Sequence, residues 1–372
     1  MRANNVLGLV FSNAYDAALP ELTNLRTMGS VPFGGRYRLI DFALSNMVNC
    51  GIAKVGIITK SNYQSLMDHV GSGKPWDLSR KNDGMFILPP FSSNESAGMY
   101  DNRIEALKGK MRFIVRSREE YIILCDCNVI CNLDFNELFK EHSKSGADIT
   151  IAYRHGKAPD LPDLLSFSTG DGGRITEAVT GGGQDCEADY SLNIYLMRKS
   201  LLERLINEAA GMHMDNFERD IIQRNIETLK IHGFEEKGFV RVLNGLKSYY
   251  DANMELLDTA KRNMLFSKKR PVLTKLRDEM PVIYGLGSKA KNSLIADGCI
   301  IDGEVENSIL FRGARVRKGA SVKNSIIMQG TYIGENVRLD SVVIDKSTVI
   351  KPGKSLCGDE NYPVYIGKEI II

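Results

Sequence analysis

Four related tetrapeptides recur near the end of the chain: Asn292-Ser293-Leu294-Ile295, Asn307-Ser308-Ile309-Leu310, Asn324-Ser325-Ile326-Ile327 and Asp340-Ser341-Val342-Val343. They begin 15 to 17 residues apart. Single apolar residues recur every six positions within this region: Leu310, Val316 and Val322, then Ile327, Ile333 and Leu339. Six-residue apolar steps are typical of a hexapeptide parallel β-helix, in which each side of a coil points one apolar side chain inward. A β-sandwich, the structural alternative, would not impose such regular steps.

The earlier part of the chain shows a different pattern, in which short β-branched runs alternate with stretches of helical spacing. The runs are 6–11, 55–59, 121–125 and 149–153, and the helical stretches are 40–49, 62–69, 103–115, 135–143, 214–225 and 247–261. Such alternation predicts βαβ units that build a three-layer α/β domain with a mostly parallel sheet. In such sheets ligands bind beyond the carboxyl ends of the strands.

Domain boundaries follow from the change of pattern near Lys269. Pro271 and Pro281 lie in a segment with little helical spacing, which indicates a linker. We therefore predict an α/β domain over residues 1–268, a linker over 269–290 and a β-helix over 291–372.

Composition excludes several classes of partner. The 372 residues include 48 basic and 46 acidic side chains, a formal net charge of +2 that gives no bulk attraction to nucleic acid or an anionic membrane. No apolar run approaches the roughly 18 residues of a membrane span, and no signal peptide is evident. Seven irregularly spaced cysteines indicate reduced thiols and a cytoplasmic protein. The cluster Cys125, Cys127 and Cys131 is interpreted as packed thiols rather than metal ligands.

The segment before the first long helical stretch reads Val31-Pro32-Phe33-Gly34-Gly35-Arg36-Tyr37-Arg38-Leu39-Ile40-Asp41-Phe42-Ala43-Leu44-Ser45-Asn46. It closely resembles the F-G-G-x-x-R-x-I-D-F-x-L-S-N segment of bacterial ADP-glucose pyrophosphorylases (glucose-1-phosphate adenylyltransferases). With the hexapeptide tail, the resemblance covers nearly the whole chain. It implies a Rossmann-like, GT-A-like nucleotidyltransferase domain followed by a left-handed parallel β-helix. It also implies an Mg²⁺-assisted reaction of ATP with glucose 1-phosphate that gives ADP-glucose and pyrophosphate.

The phosphate-binding parts of that family are altered in this sequence. The family loop G-G-x-G-T-R-L-x-P-L-T corresponds to a segment without glycine, in which Asn13, Ala14, Asp16 and Ala18 are degenerate positions and Ala18 replaces the arginine. Asp16 stands where phosphates would lie, so we expect this loop to repel or fail to cradle a triphosphate. The family's Lys-Pro pair reads Met28-Gly29, its F-V-E-K-P segment has no counterpart in 175–183, and Val242 replaces a metal-binding aspartate.

Some family positions survive. The resemblance implies that Asp126 is a residual metal ligand and Ser191 a residual sugar contact, although an Asp that ends a strand also commonly caps the next turn. Arg26 and Arg38 match basic positions of the family's allosteric pocket for phosphorylated metabolites, but solvated surface arginines are the favoured interpretation. The glycine run 181–183 is interpreted as a hairpin tip rather than a phosphate loop.

Losses of this kind, with the scaffold intact, resemble the D-type regulatory subunit that accompanies a catalytic C-type subunit in some Gram-positive bacteria. We therefore expect a glycogen-biosynthesis subunit with little activity of its own, which activates a catalytic paralogue in a hetero-oligomer, expected to be a tetramer, or forms a homo-oligomer alone. Mg²⁺ is expected in the active complex, with binding by this chain doubtful. The alternative is an active sugar-1-phosphate nucleotidyltransferase with a diverged loop. A hexapeptide acyltransferase is disfavoured because no His follows His232.

Overall fold

The computed structural model of the chain describes residues 3–90, 100–181 and 186–372. Residues 182 and 183 of the predicted hairpin tip lie outside these ranges. The first domain is built on a nine-stranded sheet. Its strands are β1 (Val6–Phe11), β2 (Lys54–Ile58), β3 (Gly84–Leu88), β4 (Tyr121–Asp126), β5 (Ile149–Lys157), β6 (Leu165–Thr169), β7 (Ile175–Thr180), β8 (Glu187–Arg198) and β9 (Ile231–Glu235).

The order of the sheet is β7-β6-β8-β4-β1-β2-β3, with β5 paired to β8 and β9 paired to β5. The four neighbours β4, β1, β2 and β3 are all parallel, as the βαβ pattern predicts. Strand β8 reverses direction and pairs antiparallel with both β4 and β5. Because β1 and β4 run side by side in register, Phe11 lies opposite Asp126, and the segments that follow both strands meet at one edge.

The α-helices lie on both sides of this sheet and beside the second domain. They are α1 (Pro20–Thr23), α2 (Leu39–Asn49), α3 (Gln64–Val70), α4 (Arg103–Gly109), α5 (Met111–Arg116), α6 (Phe135–Ser145), α7 (Lys199–Gly211), α8 (Leu246–Met254) and α9 (Thr259–Leu265). Two predicted helices are interrupted, at Lys110 and near Asp258. In the described ranges no helix is long and apolar enough to cross a membrane.

The predicted helix at 214–225 is wrong in type. The chain there forms a π-helical turn at Glu218–Ile222 and a 3₁₀ turn at Gln223–Asn225. The apolar residues were placed correctly, since Phe217, Ile221 and Ile222 are buried. The wider turn also buries Glu218, and a wide turn of this kind often occurs at a functional site.

The second domain is a parallel β-helix whose three sides are five-stranded sheets. The first side contains Ile283–Tyr284, Ile300–Ile301, Arg315–Val316, Tyr332–Ile333 and Val349–Ile350. The second contains Lys289–Lys291, Glu304–Glu306, Ser321–Lys323, Arg338–Asp340 and Ser355–Cys357, and the third contains Leu294–Ile295, Ile309–Leu310, Ile326–Ile327, Val342–Ile344 and Val364–Ile366. This arrangement confirms the hexapeptide β-helix of the left-handed type, with five coils instead of four.

Two details of the β-helix differ from the sequence-based expectation. The first coil begins at Ile283, inside the segment 269–290 expected to be a linker, because its exposed strands lack the apolar spacing of the later coils. The fourth tetrapeptide is also shifted by one residue. Ile326 pairs with Val343 rather than Val342, so Ser341, not Asp340, is equivalent to Asn324.

Apolar packing joins the two domains. One core, on one side of the large sheet, includes Cys125, Cys127 and Cys131 and extends to Ile309, Ile326 and Val343 on the outer face of the β-helix. A second core lies on the opposite side of the sheet, and a third fills the β-helix interior. At the domain boundary, Tyr250 donates a hydrogen bond from its hydroxyl to the Asn324 carbonyl at 2.6 Å. The β-helix therefore packs on the first domain through a continuous buried surface.

Candidate functional site

The loop after β1 is closed by hydrogen bonds among its own residues. Asn13 donates from Nδ2 to Asp16 Oδ2 at 2.6 Å, and the Met28 amide donates to Asp16 Oδ1 at 2.7 Å. The amides of Asp16 and Ala18 donate to the carbonyls of Asn13 and Tyr15. These amides are the groups that a phosphate-binding loop would offer to an anion, and here they are used internally.

The degenerate positions therefore have structural roles. Asp16 is half-buried, and its carboxylate accepts hydrogen bonds from Asn13 and the Met28 amide. Burial raises the pKa of this carboxyl group to about 6, although the two hydrogen bonds lower it. The Met28 side chain is fully buried in the core shared by the two domains. Ala14 packs against the opposite core, and Ala18 ends the short turn Asp16–Ala18.

Asp126 lies at the end of β4, as the sequence predicted. Its carboxylate forms an ion pair with Arg103. Arg103 donates from Nη2 to Asp126 Oδ2 at 2.6 Å, and the same nitrogen lies 3.5 Å from Glu218 Oε1. The side chains of Asp126 and Glu218 are 0% and 5% exposed. Burial by itself would lower the pKa of Arg103, but the two carboxylates more than compensate and raise it, so the guanidinium stays charged.

Ser191 belongs to the same buried network. Its hydroxyl donates to the Tyr195 hydroxyl at 3.3 Å, and Tyr195 donates in turn to Glu218 Oε1 at 3.3 Å. A β-bulge between Ser191 and Ile194 leaves Asn193 with a φ of 55°, and Asn193 donates to the Tyr15 hydroxyl at 3.0 Å. Ser191 is 1% exposed, and its hydroxyl is used within this network.

The residues do not fit a bound Mg²⁺. An Mg²⁺ site in a protein usually uses one or two carboxylates with open oxygen atoms. The Oδ2 atom of Asp126 is taken by Arg103, whereas its Oδ1 atom is buried without a hydrogen-bond partner. One oxygen atom is too few for the ion, and Val242, half-buried on a short strand paired with Val129–Cys131, supplies no oxygen ligand from its side chain. Within the described ranges no group of three His, Cys, Asp or Glu side chains could hold a metal ion.

The sequence identified Asp126 and Ser191 as site residues but missed Arg103, Glu218, Asn193 and Tyr15. Arg103 opens a short helix and Glu218 lies in an irregular turn, so neither is part of a motif. For each of these two residues, the only signal in the sequence was a charged side chain beside apolar neighbours. Such a signal does not by itself identify a functional site.

The two arginines expected at an allosteric site lie at the boundary between the domains. Arg26 is 3% exposed and bonds both carboxylate oxygens of Asp345 from Nη2, at 2.9 and 2.7 Å. The interpretation of Arg26 as a solvated surface residue is therefore wrong, because it is half of a buried ion pair. Arg38 is half-buried and donates from Nη1 to Ser65 Oγ at 2.9 Å.

Arg38 faces a small basic pocket between the domains. The pocket is also lined by Arg277, Arg312, Lys275 and Lys346. Burial, together with the charges of Arg38 and Arg26, lowers the pKa of Lys346 to about 6. Several cations thus surround one cavity, and the pKa values of two of them, Arg38 and Lys346, are lowered, mainly by burial. A cavity lined by several cations favours the binding of an anion.

Comparisons with known proteins support the resemblance. Residues 18–161 match the family model "Nucleotidyl transferase", and residues 284–362 match "GlmU-like, C-terminal hexapeptide". The chain is 35% identical to the glycogen biosynthesis protein GlgD of Bacillus subtilis, over 99% of this chain and 97% of that protein. It is 37% identical to GlgD of Geobacillus stearothermophilus, over 86% and 83%. It is 31% identical to the glucose-1-phosphate adenylyltransferase of Fervidobacterium nodosum, over 94% and 85%.

Proposed function

The chain belongs to the family of bacterial glucose-1-phosphate adenylyltransferases and GlgD proteins, and from this premise we propose that it is a regulatory subunit that raises the activity of a catalytic paralogue in glycogen biosynthesis. The observation that carries the proposal is the loop after β1, where Asn13, Asp16 and the Met28 amide bond to one another. Amides that donate hydrogen bonds within the loop are not available as donors to a triphosphate.

Phosphoryl transfer requires positioning and charge stabilisation rather than covalent chemistry by the protein. Removing one group that stabilises developing charge typically costs about 3 kcal/mol of transition-state stabilisation. This chain has lost the loop glycines, the loop arginine, the lysine and one metal-binding aspartate that the family resemblance implies. The scaffold and the packing between its domains are retained, which suits a protein selected to bind another subunit.

The partner we propose is a catalytic adenylyltransferase paralogue, in a cytoplasmic hetero-oligomer that we expect to be a tetramer. Mg²⁺ would then serve the partner's site, not this one. In the absence of the partner, the chain is proposed to associate with itself.

The test is the pyrophosphorolysis of ADP-glucose at saturating Mg²⁺, with the purified chain alone, the paralogue alone and the two mixed. We expect almost no turnover by the chain alone and a mixture faster than the paralogue alone. A fourth sample, in which the paralogue carries a substitution of its own metal-binding aspartate, serves as the control and should be inactive with or without this chain. Robust turnover by the chain alone, or in that control mixture, would contradict the regulatory role and support an active enzyme with a diverged loop.

We further propose that the basic pocket beside Arg38 binds a phosphorylated metabolite as an effector. The cluster of Arg38, Arg277 and Lys346 is the observation that favours this second role. A bound dianion would raise the pKa of Lys346, so binding is expected to take up a proton.

Sulfate is the suitable probe for this pocket, because it does not titrate between pH 6 and pH 8. Its affinity, measured by calorimetry, should increase as the pH falls, by up to about tenfold per pH unit. The matched variant Lys346→Met should bind more weakly and lose this dependence. Sulfate binding that is equally strong in Lys346→Met, or absent from the unmodified chain, would contradict the effector site.

A further inference from the structure

Two buried carboxylates, those of Asp126 and Glu218, share one counter-ion, which is a side chain of the protein itself. Asp126 comes from the end of β4 and Glu218 from the π-helical turn, two segments that are distant in sequence. Arg103 Nη2 lies 2.6 Å from Asp126 and 3.5 Å from Glu218. Two carboxylates that are removed from water need a compensating positive charge, and Arg103 supplies it.

Aromatic rings hold the guanidinium in this position. Its central carbon lies 5.0 Å from the ring centre of Phe11, 5.4 Å from that of Phe217 and 5.7 Å from that of Tyr195. The helix that carries Arg103 is fixed at its start, where the Asn102 side chain accepts a hydrogen bond from the Glu105 amide at 2.9 Å. The Arg103 side chain is only 10% exposed, so it is a fixed part of the buried network rather than a mobile surface group.

We propose that Arg103 occupies the place that a divalent cation would take: its guanidinium joins Asp126 to Glu218 and thereby prevents these two carboxylates from binding a metal ion. A guanidinium is always charged, so it balances one of the two carboxylates without an ion from solution. Burial raises the pKa of both Asp126 and Glu218, which favours the neutral form of the second carboxyl group. This inference rests on the geometry of three side chains, and it holds whether or not the chain regulates a partner.

The proposal predicts that removal of Arg103 creates a metal site. Mn²⁺ is the probe, because its free concentration can be followed by electron paramagnetic resonance, a readout that does not depend on turnover. The unmodified full-length chain should show no Mn²⁺ binding that depends on Asp126. The Arg103→Ala variant should gain one Mn²⁺ site, and the double variant Arg103→Ala/Asp126→Asn should lose it.

Thermal unfolding provides a second measurement of the same variants. Arg103→Ala should lower Tm at pH 7, because it leaves two buried carboxylates without a counter-ion, and millimolar Mn²⁺ should raise Tm again. The Tm of the unmodified chain should not respond to Mn²⁺ or to a chelator. A folded Arg103→Ala variant that gains neither Mn²⁺ binding nor stabilisation by Mn²⁺ would overturn the proposal.

If Arg103→Ala does not fold, the unmodified chain still decides the question. Mn²⁺ binding by this chain that Asp126→Asn abolishes would show that Arg103 does not exclude the ion, and would overturn the inference. Failure of the regulatory proposal appears in a different experiment, as turnover by the chain alone.

Discussion

At the scale of single residues, Asp16 shows how a lost phosphate loop can become a structural feature. Its carboxylate accepts hydrogen bonds from the Asn13 side chain and the Met28 amide, and thereby connects the end of β1 to the turn at Met28–Ser30. This position removes the carboxyl group in part from water, and the burial raises its pKa from 3.8 to about 6. The native state therefore binds this proton more tightly than the unfolded chain does.

The sign of the resulting pH dependence follows from this difference. Because the native state holds more protons on Asp16, the contribution of this group to stability is largest below pH 4 and is lost as the pH rises to about 6. The loss is at most about 3 kcal/mol. We predict that Asp16→Asn removes this part of the dependence, as measured by urea unfolding at several pH values between 4 and 7.

Asp220 provides a control of opposite sign for this experiment. The hydrogen bond from Arg219 lowers the pKa of Asp220, so its contribution to stability is present above its unfolded pKa and is lost as the pH falls. Asp220→Asn should therefore change the pH dependence in the other direction and below about pH 4, so for this variant the unfolding series is extended to about pH 2. Equal slopes for Asp16→Asn and the unmodified chain would show that Asp16 titrates normally.

At the scale of secondary structure, the sequence predicted most of what regular spacing can specify. The strand Val6–Phe11 and the apolar columns of the β-helix were correct, because periodic burial depends directly on periodic sequence. The π-helical turn Glu218–Ile222 was not predictable in the same way. This turn places the carboxylate of Glu218 in the interior, where its counter-ion is Arg103, a residue far away in the sequence.

The Asn-Ser repeat now has a conformational explanation. Asn292, Asn307 and Asn324 each directly follow a strand of the second side, with left-handed φ values of 43°, 46° and 46°. Ser341, with a φ of 52°, takes this position in the next coil. Asparagine tolerates this conformation better than most residues, so the repeat marks the corners of the β-helix rather than its sides.

A pair of substitutions at Asn307 tests this explanation. Asn307→Ala should reduce the free energy of unfolding by about 1–2 kcal/mol, because alanine is disfavoured in the left-handed region. Asn307→Gly should cost less, since glycine adopts that region freely and loses only the bond from Asn292 Nδ2 at 2.8 Å. Both are measured by urea unfolding. An alanine variant as stable as the glycine variant would show that backbone conformation is not the reason for asparagine.

At the scale of the whole molecule, the sequence predicted two domains but not the surface between them. Arg26 illustrates why, since its partner Asp345 lies 319 positions away and no local pattern links the two. The same limit applies to the buried network around Asp126. The family resemblance identified Asp126 and Ser191, whereas Arg103 and Glu218 could be identified only from the three-dimensional structure. Side chains that match a motif can be predicted, but the neighbours that neutralise them cannot.

The Arg26–Asp345 pair is expected to be a main connection between the two domains. Asp345 also accepts hydrogen bonds from the Tyr365 hydroxyl at 2.9 Å and the Lys346 amide at 2.7 Å, so it is well held but depends on Arg26 for charge. Arg26→Met should cost about 3–5 kcal/mol, because it leaves Asp345 buried and unpaired. Adding Asp345→Asn should recover part of this loss. Urea unfolding of the two single variants and the double variant measures the coupling energy between Arg26 and Asp345.

The control is Arg204→Met, which removes one partner of an exposed ion pair and should lower the free energy of unfolding by less than about 1 kcal/mol. If the pair couples the domains, Arg26→Met should also separate unfolding into two transitions. A single transition, with additive free-energy changes for the two substitutions, would show that apolar packing alone holds the domains together.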